Sequence, residues 1–229
     1  MRDCRPSCPP ECLLHDLDGL DEAQAQGFRR ACYPAHRVLF EQDDPCHKRV
    51  FLLCTGLIGR WWGQGELEKH CLEILGPGDW LGSECWQDDA WICRACSLTD
   101  TSGWWVSEAQ WLALLRHAGV LERFWRRQNQ RLQDLHRWQV LLARGSVRAR
   151  VAWQLLHLAK RFGQANQTGE IFVPVHLTHE QQAMLVGATR PMVWKALQHF
   201  QQQGWLVCAL SGFWIKNKEA LISVSYEGS

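Results

Sequence analysis

The sequence contains no apolar run near the roughly 18–20 residues that a membrane-spanning helix needs. Its opening stretch, MRDCRPSCPPECLLHDLDGL, has no apolar core of signal-peptide length and no small-residue cleavage site. An unsecreted, cytoplasmic chain without a membrane partner is therefore expected. No P-loop, dinucleotide fingerprint, G-x-S-x-G or HExxH occurs, so the residues give no support to an enzyme reading. Net charge is nearly absent as well: 25 Lys and Arg against 24 Asp and Glu leave +1. At 46% apolar and 21% charged residues, disorder of the whole chain is excluded. A length of 229 residues fits one large domain or two smaller ones.

The small net charge hides an asymmetry. Residues 1–143 carry 16 Lys and Arg against 20 acids, whereas residues 144–218 carry nine basic residues against two acids. A mildly acidic front and a basic back fit a sensing domain joined to a polyanion-binding domain. Cysteine is abundant, at 11, and odd in number. Without a secretory signal a disulfide framework is not expected, so metal, cluster or thiol redox chemistry becomes the question. The 14 tryptophans are expected to fill the core and strand faces.

Along the chain, residues 1–12 form a Cys/Pro/Arg-rich arm, and residues 13–31 read as a short helix anchored by Leu17, Leu20 and Phe28. From 36 to 106, short apolar runs alternate with glycine-rich turns: His36–Phe40, Val50–Cys54, Leu57–Trp62, Lys69–Leu75, Trp91–Leu98 and Gly103–Val106. Strands so short and so regularly punctuated predict a sandwich or roll over residues 13–106. Residues 107–143 read as one helix, in which Leu121, Trp125, Gln128, Leu132, Leu135, Gln139 and Leu142 recur at spacings of 4 and 3. This is a coiled-coil seam and predicts a homodimer through residues 118–143, with the flanking Asp134 pointing outward. A helix over Arg148–Phe162, a polar loop over 163–169 and a strand over Ile171–Leu177 follow, and residues 219–229 are left as a tail.

Thr178 opens THEQQAMLV as an N-cap, with Gln181 placed to close a capping box. Gly187 permits a tight turn. Thr189 is a second N-cap, and Pro191 sits in the first turn of a helix from Arg190 to about Gln203 that Gly204 ends. Ser211-Gly212 reads as the turn of a hairpin between Trp205–Ala209 and Phe213–Lys216. Two helices, a glycine turn and a β-wing make a winged helix-turn-helix over residues 144–218. The N-terminal part of the second helix of such a motif enters the major groove of double-stranded DNA. The candidate DNA-contacting residues are Thr178 and His179, then Thr189, Arg190, Met192, Trp194 and Lys195, with Gln198 and His199 on the same exposed face. Arg or Lys there can bond guanine O6 and N7.

LTHEQQAMLVGATRPMVWKALQHFQQQGWL resembles the DNA-reading motif of the CRP/FNR family of bacterial transcription regulators. LGPGDWLGSE resembles that family's glycine-rich β-roll turn, and RVAWQLLHLAKRF the helix opening its C-terminal domain. The resemblance spans residues 12–218. It implies an α+β chain with an N-terminal cyclic-nucleotide-binding-type β-roll, a long dimerisation helix and a C-terminal winged helix-turn-helix. It also implies a palindromic operator and RNA polymerase as a partner. Arg190 and Lys195 match the family's two basic base-contacting positions, whereas Pro191 stands where many members have a glutamate.

The resemblance also frames the signal. Cyclic-nucleotide binding in the family needs a Gly-Glu pair and an Arg for the phosphate. Here Ser83 separates Gly82 from Glu84, and Asp88 and Asp89 occupy the phosphate region, where two carboxylates repel a phosphate. The oxygen-sensing, FNR-like members hold an iron–sulfur cluster on N-terminal cysteines. Cys4, Cys8 and Cys12 occupy such an arm, so a 4Fe-4S cluster is expected on these three thiolates, with Cys96 or Cys93 as the fourth ligand. The C-x3-C-x3-C spacing departs from that family's closer pattern. Cys93 and Cys96 three apart on a strand point to opposite faces, which leaves the fourth ligand open. Thiol switching, zinc, haem or a small-molecule effector in the roll are the alternatives with DNA binding retained. A redox or metal-handling protein using the helix-turn-helix as scaffold is the alternative of another class.

Overall fold

The computed structural model describes residues 27–63, 70–83 and 89–226. They divide into two compact units, one ending at Arg131 and the other beginning at Leu132.

The first unit is built on eight strands: β1 (Arg29–Tyr33), β2 (Val38–Phe40), β3 (Arg49–Thr55), β4 (Ile58–Trp62), β5 (His70–Leu75), β6 (Trp80–Leu81), β7 (Arg94–Ser97) and β8 (Thr101–Ser107). They form two antiparallel sheets, ordered β1-β8-β3-β6 and β2-β7-β4-β5. Strand β3 shows why both of its faces are apolar. Side chains alternate across a strand, so Phe51 and Leu53 join one core cluster with Phe40, Ile58, Leu75, Leu81, Trp91 and Ala95. Val50 and Leu52 face the other way, into a second cluster with Trp80, Val106, Trp111, Leu114 and Val120. The first cluster is shared by both sheets. The second is closed by α1 (Glu108–Leu115) and the start of α2 (Ala118–Arg144). Gly82 has φ +101°, and a Cβ there would stand 2.3 Å from the Arg49 carbonyl oxygen, so glycine is required where β6 turns away.

Two expected helices in this unit differ in the structure. The helix read over residues 13–31 is strand β1 from Arg29 onward, where RRACY pairs with β8 in a ladder that its own sequence does not announce; residues 13–26 lie outside the described ones. The helix read from 107 to 143 is two helices. Ser107 caps α1 with a full capping box to Gln110, and the helix ends at the C-cap Arg116 before α2 begins at Ala118. Strand β6 was not expected, because two residues carry no period.

The second unit holds the later part of α2, then α3 (Val147–Phe162), β9 (Gln164–Ala165), β10 (Ile171–Val173), α4 (His179–Val186), α5 (Arg190–Gln202), β11 (Leu206–Ala209), β12 (Gly212–Ile215) and α6 (Lys218–Ser225). Its sheet is ordered β11-β12-β10-β9. Helix α3 lies at the centre and buries Ala149, Val151, Ala152, Leu155 and Leu158 against α4, α5, α6 and β10. Trp138 of α2 stacks on Trp153 of α3 at 5.3 Å, and Trp153 stacks on His157 at 4.9 Å.

Further corrections fall in this unit. Residues 219–225 belong to a helix and not to a tail: Asn217 caps α6, and Leu221 and Val224 are buried. The strand expected to reach Leu177 stops at Val173, because Pro174 has no N–H for the ladder. Part of the polar loop, Gln164–Ala165, pairs with β10. Ala209 pairs with Gly212, so the two-residue wing turn is Leu210-Ser211, one position earlier than Ser211-Gly212. Asp134 does not point outward. Its carboxylate lies 3.8 Å from Nδ1 of His157, and its side chain is only 15% exposed.

Candidate nucleic-acid interface and sensor

The helix-turn-helix is set by local chemistry. The Thr178 hydroxyl accepts from the Gln181 N–H at 3.1 Å, and Gln181 Oε1 accepts from the Thr178 N–H at 2.9 Å. Gly187 ends α4 at φ +59°, ψ +48°, the left-handed conformation that glycine adopts without steric cost. Arg150 of α3 donates to the carbonyl oxygens of Val186 and Gly187 at 2.9 and 2.7 Å, tying the turn to the central helix. Thr189 occupies the N-cap of α5, but its side chain makes no capping hydrogen bond, contrary to expectation.

Val193, Ala196, Leu197 and Phe200 anchor α5 to the unit. Arg190, Pro191, Met192, Trp194 and Lys195 lie on its exposed side, and Thr178, His179 and Thr189 are exposed beside them. All seven candidate DNA-contacting residues therefore belong to one helix-turn-helix with solvent-facing positions. Gln198 and His199 are half-buried, and the His199 ring meets Trp205 edge-on at 5.8 Å, so His199 is a packing residue here.

On α2, the seam residues Leu121, Trp125, Leu132, Leu135 and Leu142 are all exposed, with Gln139 exposed and Gln128 half-buried among them. Five large apolar side chains in one stripe of a helix are an unpartnered face within one chain.

The first unit carries an ion-pair network that no local pattern announces. Asp79, 2% exposed, accepts from the Gly76 N–H at 2.8 Å and from Arg127 Nε of α2 at 2.8 Å. Glu73 on β5 accepts from Arg60 Nη1 of β4 at 2.7 Å and from Arg131 of α2. Arg60 Nε donates to Cys93 Sγ at 3.2 Å. Two carboxylates of the roll thus receive two guanidinium groups of α2. Such charge-assisted bonds in a half-buried setting are stronger and more directional than surface pairs.

Cys93, just before β7, is buried against Arg60, whereas Cys96, three residues on within β7, is half-buried and lies beside the Ser97 carbonyl oxygen at 3.6 Å. Burial, the larger influence, pushes the Cys96 thiol above its ordinary value; Arg94 lowers it and Glu41 raises it further. Among the described residues no group of three or more His, Cys, Asp or Glu could hold a metal ion. Cys4, Cys8 and Cys12 lie outside the described residues, as do Glu84 and Asp88. Asp89 is exposed and pairs with Lys48 at 3.7 Å.

A family profile described as a Crp-like helix-turn-helix domain matches residues 149–224. The chain is 34% identical over 188 residues to the CRP-like cAMP-activated global transcriptional regulator of Mycobacterium tuberculosis, covering 76% of this chain and 78% of that protein. In fold it is similar to FixK2 from Bradyrhizobium japonicum, with a TM-score of 0.72 and 19% identity over 88% of this chain and 99% of the other. It is similar also to a CooA mutant from Carboxydothermus hydrogenoformans, with a TM-score of 0.76 and 19% identity over 95% and 97%. With a capped helix-turn-helix in one unit, a strand-built other unit and this identity across three quarters of its length, the chain belongs to the CRP/FNR family of DNA-binding transcription regulators.

Proposed function

We propose that this protein is a homodimer that binds a palindromic double-stranded DNA site through two copies of α5 and takes its signal in the N-terminal unit. The observation that carries the reading is the exposed Arg190–Lys195 face of α5, in a region holding nine basic residues against two acids. Dimerisation through α2 rests on the exposed seam from Leu121 to Leu142. A two-fold dimer presents two helices to two half-sites, which is why the site is palindromic. RNA polymerase is the further partner that regulation of transcription implies.

The signal is assigned to a small effector acting on the roll. The pairs Arg127–Asp79 and Arg131–Glu73 support this: an effector that competes for either carboxylate changes what holds α2 to the strands. Cyclic AMP, named for the mycobacterial relative, is disfavoured here because Asp88 and Asp89 stand in the phosphate region.

A second reading is favoured by three thiols within the first twelve residues. It places an iron–sulfur cluster on Cys4, Cys8 and Cys12, ligands whose softness suits iron and sulfide. The fourth ligand in this reading is Cys96 or Cys93.

Protein purified without oxygen separates the two. Iron, sulfide and a broad absorption band near ~400 nm, all lost on replacing Cys4, Cys8 and Cys12 by Ser, support the cluster. Colourless, iron-free protein that still binds DNA selectively removes it and leaves the effector. Loss of selective DNA binding in neither Arg190→Ala nor Lys195→Ala overturns the DNA reading itself.

A further inference from the structure

Helix α5 reads RPMVWKALQHFQQ and holds no acidic residue. Its buried stripe is Val193, Ala196, Leu197 and Phe200. At about 100° per residue, the direction opposite that stripe falls on Pro191, with Lys195 one turn further on. Trp194 lies three residues from Pro191 on the same side, and side chains three and four apart on a helix are neighbours. All three are exposed, as is Arg190. The first two turns therefore present two cations flanking an apolar plate made of a pyrrolidine ring and an indole.

Each part has a definite counterpart in the major groove. Arginine and lysine donate to guanine O6 and N7. Proline's side chain has neither donor nor acceptor, and the indole N–H only donates. Cytosine marks the groove with an N4 donor, which calls for a strong acceptor. Arg190, Pro191, Trp194 and Lys195 supply none; the Met192 thioether accepts only weakly, the Thr189 hydroxyl stands at the N-cap before the helix, and Gln198 is half-buried. The one apolar mark on any base pair in that groove is the thymine C5-methyl group.

We propose that Pro191 and Trp194 read a thymine C5-methyl group in each half-site, beside the guanines bonded by Arg190 and Lys195. This rests on the DNA-binding reading above and adds to it the class of base selected. A 5-methylcytosine, which carries the same methyl group, satisfies the contact, and unmodified cytosine does not.

The test uses the full-length dimer and an operator selected from random duplex DNA. Each thymine of the half-site is replaced in turn by deoxyuridine, which removes one methyl group and leaves base pairing unchanged. At one position per half-site the affinity falls about fourfold per methyl group lost, the effect of burying one such carbon. At that position 5-methylcytosine·guanine binds more tightly than cytosine·guanine. The Pro191→Ser/Trp194→Ser double variant binds the thymine and deoxyuridine operators equally, and Pro191→Glu gains a preference for cytosine there. Both variants change exposed positions, and thermal unfolding checks that they keep the fold. Undiminished affinity for every deoxyuridine operator overturns the proposal, as does a methyl effect that survives in the double variant. If no sequence is enriched in the selection, it is the underlying DNA reading that has failed.

Discussion

Changing Leu135 to Glu tests whether the apolar stripe of α2 is a dimer seam. Leu135 is 51% exposed in the single chain. Full burial of a leucine side chain is worth about 1.5–3 kcal/mol, so roughly 1 kcal/mol remains to be gained at an interface. Two-fold symmetry makes that gain twice. Glutamate forfeits both gains and brings two carboxylates together across the seam, a juxtaposition that costs several kcal/mol. Together these amount to roughly 4–5 kcal/mol, or more than about a thousandfold in the dissociation constant. The fold itself should be spared, because Leu135 is exposed in the single chain and glutamate is a good helix former. Sedimentation equilibrium of Leu135→Glu at micromolar concentration should give monomer with an unchanged circular dichroism spectrum. Wild type should stay dimeric with or without iron or effector, because the seam holds no acid and Asp134 is turned towards His157. A Leu135→Glu protein that dimerises within threefold of wild type refutes the seam.

Other consequences follow from single contacts. Asp79→Asn keeps an acceptor for the Gly76 N–H but removes the charge facing Arg127. Breaking a buried pair costs about 3–5 kcal/mol, and the 28% exposure of the Arg127 side chain reduces this to roughly 2–3 kcal/mol; urea unfolding followed by tryptophan fluorescence measures it, and a change below about 0.5 kcal/mol contradicts it. Gly187→Ala forces a side chain into the left-handed region and sets its Cβ 3.2 Å from Leu142 Cδ2, so it should cost about 1–2 kcal/mol and weaken operator binding. Cys71 is buried, and that burial, reinforced by Glu73, pushes its thiol far above the ordinary range. In the folded protein at pH 8 iodoacetamide should leave Cys71 unmodified and label the exposed Cys32, as mass mapping will read.

The helix-turn-helix was legible because its determinants are local. Thr178 and Gln181 form a capping box within one turn, and Gly187, Pro191 and Gly204 punctuate the two helices at their own positions. The same logic, pressed further, would have found α6, since Asn217 precedes Leu221 and Val224 at helical spacing. It would have found the capping box of Ser107 and Gln110 that opens α1. The break after Leu115 involves no Gly or Pro and depends on Trp111 and Leu114 packing against Trp80 and Val106, which periodicity cannot report. Strand β1 has the residues RRACY and no alternation; it is a strand because β8 is there to pair with it. The network of Arg60, Glu73, Asp79, Arg127 and Arg131 joins residues as much as 58 positions apart, and only the folded chain brings them together. His199 looked like a groove-facing residue from its position on α5, but Trp205, just past the helix end, claims its ring.

If α5 is the reading helix, it selects a DNA sequence. Selection of binding sites from a pool of random duplex DNA by the wild-type dimer, sequenced after several rounds, should yield an inverted repeat with guanine-containing half-sites about one helical turn apart. Arg190→Ala should lose affinity for that repeat by about 1–3 kcal/mol, the worth of a bidentate arginine–guanine contact, while its salt-dependent binding to unrelated duplex DNA persists. An unenriched pool, or an Arg190→Ala protein that selects the same repeat with the same affinity, would contradict the assignment of α5 as the reading helix.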